Sequence, residues 1–163
     1  MTDDAMDLPG FESIAGVDLA QKLPLFRTLS FDEVRQLFAI AHTEERAAGD
    51  VIIDEDALGS ALYIVREGTT RISRRGVELG TRGPGEILGE MSLVDDVLTS
   101  ARVIAATPVS LIVLPRPAFD ALMNQQHTLA LKVYKAFCRT LSERLRRANE
   151  HLPSEDLLDT GVC

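Results

Sequence analysis

The hydrophobic positions change period twice along this chain. From Leu19 to His42 they recur as on helices. Leu23, Leu25, Phe26 and Leu29 form a compact apolar group, and Val34, Leu37, Phe38 and Ala41 follow on one face. Ser30 precedes that face and Glu33 lies three residues on, the signature of a capping box. After Ala48 the pattern shortens. Gly49, Gly59, Gly68, Gly76 and Gly85 fall eight to ten residues apart, with branched or apolar runs between them at 51–53, 61–65, 69–73 and 77–79. Two more runs, 100–106 and 109–114, flank Pro108, and Arg74-Arg75-Gly76 reads as a hairpin turn. Short strands at this spacing predict an antiparallel β-barrel or jelly roll over residues 44–114. Pro115 and Pro117 end the sheet and the helical period returns. A short helix is expected at 119–123 and a longer one at 128–152. The stripe of the longer one is Tyr134, Phe137, Leu141, Leu145, Ala148 and Leu152. The fold class is therefore mainly β with flanking helices, N-terminal helices before the roll and two C-terminal helices after it.

This pattern fits one domain, residues 19–152, with the roll at 44–114 and the C-terminal helices at 117–152. An acidic leader (1–18) and a polar tail (153–163) flank it. A length of 163 residues is enough for a real core. The net charge of −8 argues against nonspecific attraction to nucleic acid or acidic membrane. Lys132, Lys135, Arg139, Arg146 and Arg147 on the long helix accordingly read as a solvated face, with cations placed well toward a helix C-terminus. No apolar run approaches the ~20 residues that span a bilayer, and the start is acidic rather than basic. A cytoplasmic protein without a membrane segment is expected. Cys138 and Cys163 suggest no disulfide framework. His42, His127 and His151 lie in separate regions without metal-ligand spacing. The acidic run Asp54-Glu55-Asp56 reads as a solvated loop. No enzyme, metal or cofactor site is expected.

The most concentrated chemistry lies at Gly83-Pro84-Gly85-Glu86-Ile87-Leu88-Gly89-Glu90-Met91-Ser92-Leu93. Three glycines and a proline in seven positions rule out a regular helix or strand there and let backbone approach a ligand closely. Glu90, Met91 and Ser92 can begin a short helix whose first amides favour an anion, and a carboxylate beside them can accept from sugar hydroxyls. No Lys-Ser or Lys-Thr follows, so a nucleoside-triphosphate P-loop is not indicated.

With the order of elements, these motifs resemble the cyclic-nucleotide-binding domain family, the type found in the catabolite activator protein and kinase regulatory subunits. Leu25-Phe26-Arg27-Thr28-Leu29-Ser30 resembles its helical lead-in, Ala48-Gly49-Asp50-Val51-Ile52 its second strand and the turn before it, and Leu62-Tyr63-Ile64-Val65-Arg66-Glu67-Gly68 the strand ending in a fixed glycine. The stretch from Gly83 to Leu93 resembles the start of its phosphate-binding cassette. The resemblance implies a double-stranded β-helix and a ligand such as cAMP or cGMP. It implies that Glu90 accepts from the ribose 2′-hydroxyl while Gly89, Met91 and Ser92 hold ribose and phosphate. The family's phosphate-pairing arginine falls at Thr99, and Ser100 takes the next position. Threonine offers one hydroxyl where a guanidinium offers a charged bidentate grip. Asp95 and Asp96 nearby add the wrong sign. Arg102 is the nearby substitute, on the same strand face as Ser100; the alternative is an outward Arg102 paired with Asp95 or Asp96. The resemblance also implies a partner protein reached through the C-terminal helices, and a possible homodimer through helix 128–152. No DNA-binding module is expected after Leu152. The reading is a stand-alone sensor, or a degenerate copy acting as an interaction or dimerisation module.

Overall fold

The computed structural model describes residues 23–151; the leader and tail expected from the sequence lie outside the described residues. Among the described residues, eight strands and four helices follow in order. Helix α1 is Phe31–Ala39, and the first strands are β1 (His42–Arg46), β2 (Val51–Ile53), β3 (Ala61–Glu67), β4 (Thr70–Arg74), β5 (Val77–Arg82) and β6 (Ile87–Leu88). Helix α2 (Glu90–Asp95) is followed by β7 (Arg102–Ala105) and β8 (Val109–Pro115), then α3 (Arg116–Gln125) and α4 (His127–Glu150). All strand pairs are antiparallel, in two four-stranded sheets ordered β1-β8-β3-β6 and β2-β7-β4-β5. This is the expected jelly roll with flanking helices.

The pairing β3–β8 is central because both of its faces are covered. Along β3 the first five residues are all buried, as expected of a strand with protein on both sides. Strand alternation then divides the core in two. Leu62, Ile64, Ile112 and Leu114 face the helices, joining Leu37 and Phe38 of α1, Phe119 of α3 and Val133 and Phe137 of α4. Ala61, Tyr63, Val65, Leu111 and Val113 face into the roll, meeting Ile52, Val103 and Ala105 of the other sheet. A residue such as Phe137, fully buried, contributes about 3–5 kcal/mol against truncation to alanine.

Several local expectations change. Residues 23–29 form turns, closed by the Phe26 and Leu29 amides donating to the Leu23 and Phe26 carbonyls. Strand β1 is polar, His-Thr-Glu-Glu-Arg, and carries no apolar alternation to reveal it; it pairs along its whole length with β8. The glycine-rich stretch holds a two-residue strand after all, since Ile87 and Leu88 pair with Ile64 and Tyr63. The buried side of α4 is Leu129, Val133, Ala136 and Phe137, whereas Leu145 is 62% exposed. The stripe is therefore rotated from the apolar one read in the sequence. Lys132 is not a free surface cation: its Nζ donates to both carboxylate oxygens of Glu33 at 2.9 and 2.8 Å.

The capping box at Ser30 is present in both directions, with the Glu33 amide donating to Ser30 Oγ and the Ser30 amide donating to the Glu33 carboxylate. Glu33 thereby ties α1 to α4. Burial pushes its carboxyl upward, but Lys132 and the Ser30 donors outweigh that and hold it below its ordinary 4.5. A carboxylate held low in the folded state stabilises it above about pH 4.5, and that contribution is lost as pH falls through the folded value. Lys132→Met is expected to flatten this acid limb and to cost about 0.2–1 kcal/mol at neutral pH. Urea unfolding across an acid-to-neutral pH series checks it, and an unchanged pH slope would count against the linkage.

Candidate functional site

The cassette runs from Gly83 to Thr99, between the end of β5 and the start of β7. Gly89 is its pivot. It has φ +83° and stands as the N-cap of α2, a left-handed conformation that glycine takes without strain. A Cβ there would lie 2.6 Å from the Ala61 carbonyl oxygen, so only glycine lets the cassette lie this close to β3. Beside it is a cavity of about 230 Å³ between β2, the 54–60 loop, β3 and the cassette, lined in part by Gly89, Ser92, Thr99, Tyr63 and Asp54. No arginine or lysine lines it among the described residues.

The residues singled out in the sequence divide between the lining of this cavity and positions outside it, where Glu90, Met91, Ser100 and Arg102 stand. Gly89, Ser92 and Thr99 line it. Ser92 is buried, and its hydroxyl donates to the Gly89 carbonyl at 3.2 Å. Glu90 is 3% exposed. Met91 is half exposed, and its sulfur accepts from the exposed Ser100 hydroxyl at 3.9 Å. Arg102 is exposed, with its Nε 3.8 Å from a carboxylate oxygen of Asp54, so its partner is neither Asp95 nor Asp96.

Glu90 and the far end of the cassette are each held by an arginine that the sequence reading passed over. Arg144 of α4 donates one guanidinium nitrogen to Glu90 and the other to the Ile87 carbonyl, the latter at 2.7 Å. Arg116, at the start of α3, donates to the Ser92 carbonyl at 3.1 Å and pairs with Asp96 and, at 3.4 Å, with Asp120. One of the two cassette carboxylates expected to repel a phosphate is thus already neutralised. A signal for Arg144 did exist. It lies seven residues after Phe137, two helical turns on, and so falls on the face that α4 buries. A stripe drawn from apolar residues alone skips it.

Thr99 is built in as a clamp. Its hydroxyl donates to the Asp54 carbonyl and accepts from the Ala57 amide at 3.0 Å. Its backbone closes the same contact, with the Thr99 amide donating to the Ala57 carbonyl at 2.8 Å and its carbonyl accepting from the Asp56 amide at 2.9 Å. The hydroxyl is therefore committed to holding the 54–57 loop. Thr99→Val keeps the shape but strands the Ala57 amide and the Asp54 carbonyl, and is expected to cost about 1–3 kcal/mol. Urea denaturation of the two proteins measures it; a loss under about 0.5 kcal/mol would mean water replaces the hydroxyl.

Residues 43–126 match the family model described as the cyclic nucleotide-binding domain. The chain is 34% identical over 125 residues to the cyclic AMP receptor protein of Thermus thermophilus, a match covering 74% of this chain and 58% of the receptor. It is 31% identical over 126 residues to glutaminase 2 of Bradyrhizobium diazoefficiens, covering 77% of this chain and 20% of that protein. The chain thus spans little more than half of one relative and a fifth of the other. A solved structure of the regulatory subunit of a cAMP-independent protein kinase A from Trypanosoma brucei is also similar. The TM-score is 0.66 at 26% identity, over 76% of this chain and 45% of that one. The protein in that structure carries three substitutions, one of them threonine to arginine, and is described as bound to cAMP. Jelly roll, cassette and matched span agree, and the chain belongs to the cyclic nucleotide-binding domain family.

Proposed function

We propose that the cavity beside the cassette senses a nucleotide and that its occupancy is signalled to a partner protein through α3 and α4. Domains of this family bind cyclic nucleotides and are regulatory rather than catalytic. The observation that carries the reading is the reach of Arg144 from α4 to Glu90 and the Ile87 carbonyl. A ribose hydroxyl donating to Glu90 shares the carboxylate with Arg144, so a ligand changes how firmly α4 is held. A ligand can shift this balance only by as much as it favours one state over the other. Arg116 links Ser92 and Asp96 to α3 in the same way. Gly89 gives close backbone approach and Ser92 lines the cavity, while Met91 and Ser100 lie outside its lining.

The ligands expected of the family, cAMP and cGMP, carry a cyclic phosphate monoanion, and burying it requires a compensating cation or several donors. The cavity offers none of the former, the Thr99 hydroxyl is already committed, and Asp54 has the wrong sign. Weak binding follows. A second reading, in which the domain has given up nucleotide binding and serves protein interaction or dimerisation, is favoured by the same cation-poor cavity. It is favoured too by the exposed Met91, Val94, Val97 and Leu98 on the cassette and the exposed Leu131 and Leu145 on α4.

Calorimetry on the full chain and on Thr99→Arg, with cAMP and cGMP, separates the two. The parent is expected to bind weakly. The arginine is expected to recover part of the about 2–5 kcal/mol of a charged pair, about 30-fold or more in affinity. Some folding stability is lost with the hydroxyl clamp. Absence of binding by both folded proteins would leave the interaction-module reading.

A further inference from the structure

A second group of cations lies around Glu90, on the side where α4 covers the cassette. Arg82 ends β5 just before Gly83, and its side chain is 22% exposed. Its Nη1 donates to the Thr81 carbonyl at 2.7 Å, but its Nε is buried and makes no hydrogen bond. The nearest carboxylate, Glu86, stands 3.7 Å from that Nε and spends its other oxygen on the Gly83 amide at 2.9 Å. Arg144 and Arg147 approach from α4, three residues apart and therefore on one helix face. Arg144 is committed to Glu90 and Ile87. Arg147 is exposed; its carbonyl is paired with the His151 ring at 2.6 Å, and its guanidinium makes no hydrogen bond or ion pair among the described residues. Arg82 thus feels two further guanidinium charges and two carboxylates, with one buried N–H making no hydrogen bond and one guanidinium unengaged.

This arrangement is unfavourable without a further anion. Burial lowers the affinity of Arg82 for its proton, and Arg144 and Arg147 add to that, against the opposing pull of Glu86 and Glu90. An unpaired buried N–H is costly in its own right. A tetrahedral oxyanion would meet both needs, because guanidinium groups match phosphate oxygens in geometry as well as charge. An additional carboxylate side chain would also meet them, but within ion-pair distance of Arg82 the described residues place only Glu86.

We propose that Arg82, Arg144 and Arg147 form an anion subsite that receives a phosphate group, on the α4 side of Glu90, where the usual cation at position 99 is absent. That the phosphate belongs to a nucleotide rests on the reading of the cassette as a nucleotide site; the anion subsite itself stands on the arginines. The ligand class is then a nucleotide whose phosphate reaches α4 beyond Glu90 instead of lying against Thr99. A phosphate there would engage Arg147 and draw the last turns of α4 toward β5.

Inorganic pyrophosphate probes the subsite without ribose or base. Calorimetry and thermal shift on the full chain are expected to show binding that weakens with added salt. Arg82→Gln/Arg147→Gln is expected to weaken it about tenfold or more, while Arg82→Lys, which keeps charge but not the fork, falls between. Because Arg147 is exposed, Arg147→Gln alone keeps the test readable if the double variant unfolds, and several-fold weakening is expected. Pyrophosphate binding lost in these variants supports the subsite even if cAMP and cGMP never bind, in which case only the cyclic-nucleotide reading fails. No pyrophosphate binding by the parent, or equal binding by the folded variants, overturns it.

Discussion

The carboxylate of Glu90 is almost wholly buried at the start of a short helix, and a buried charge must be paired. Its cation comes from α4, more than fifty residues away in sequence, through Arg144. Breaking such a pair by removing one partner costs about 3–5 kcal/mol, because the remaining charge stays buried. The position of α4 across the cassette is therefore an electrostatic requirement as well as a packing preference. The same guanidinium takes up the carbonyl of Ile87, a residue of β6 that pairs with Ile64 of β3. One side chain thus connects the central strand, the cassette and the C-terminal helix.

Arg116 repeats the arrangement at the other end of the cassette. It reaches the Ser92 carbonyl and Asp96 from the first turn of α3. Both C-terminal helices thus hold the cassette through charge-assisted hydrogen bonds. Thr99 completes the frame on the opposite wall, where its hydroxyl and backbone bind the 54–57 loop. The position at which the resemblance implied a phosphate-pairing arginine serves here as an internal fastener.

The fold was legible in the sequence wherever local chemistry decides structure. The capping box at Ser30, the glycine punctuation of the strands and the apolar run of β3 all reported it directly, because each rests on residues close together in the chain. Strand β1 was not legible, since it is polar and exists through its register with β8. The close backbone approach at Gly89 was legible in the glycine-rich run, whereas the burial of Glu90 was not. The arginines around them could not be read from apolar periodicity. Arg144 occupies a buried-face position that apolar periodicity ignores, and Arg116 and Arg82 acquire meaning only when sheet and helices bring them to the cassette. Lys132 shows the converse: it was read as a surface charge, yet the fold gives it a capping carboxylate as partner.

The coupling of Glu90 to α4 is the claim on which the functional account rests, and native-state hydrogen exchange tests it most directly. Backbone amides of residues 142–150 would be followed in the parent, Glu90→Gln, Arg144→Gln and the double variant. If the pair holds α4, each single change lowers protection there to a similar extent, and the double change adds little beyond either one, as expected of groups acting as a unit. Unchanged protection in the single variants, or losses that simply add in the double variant, would contradict the account.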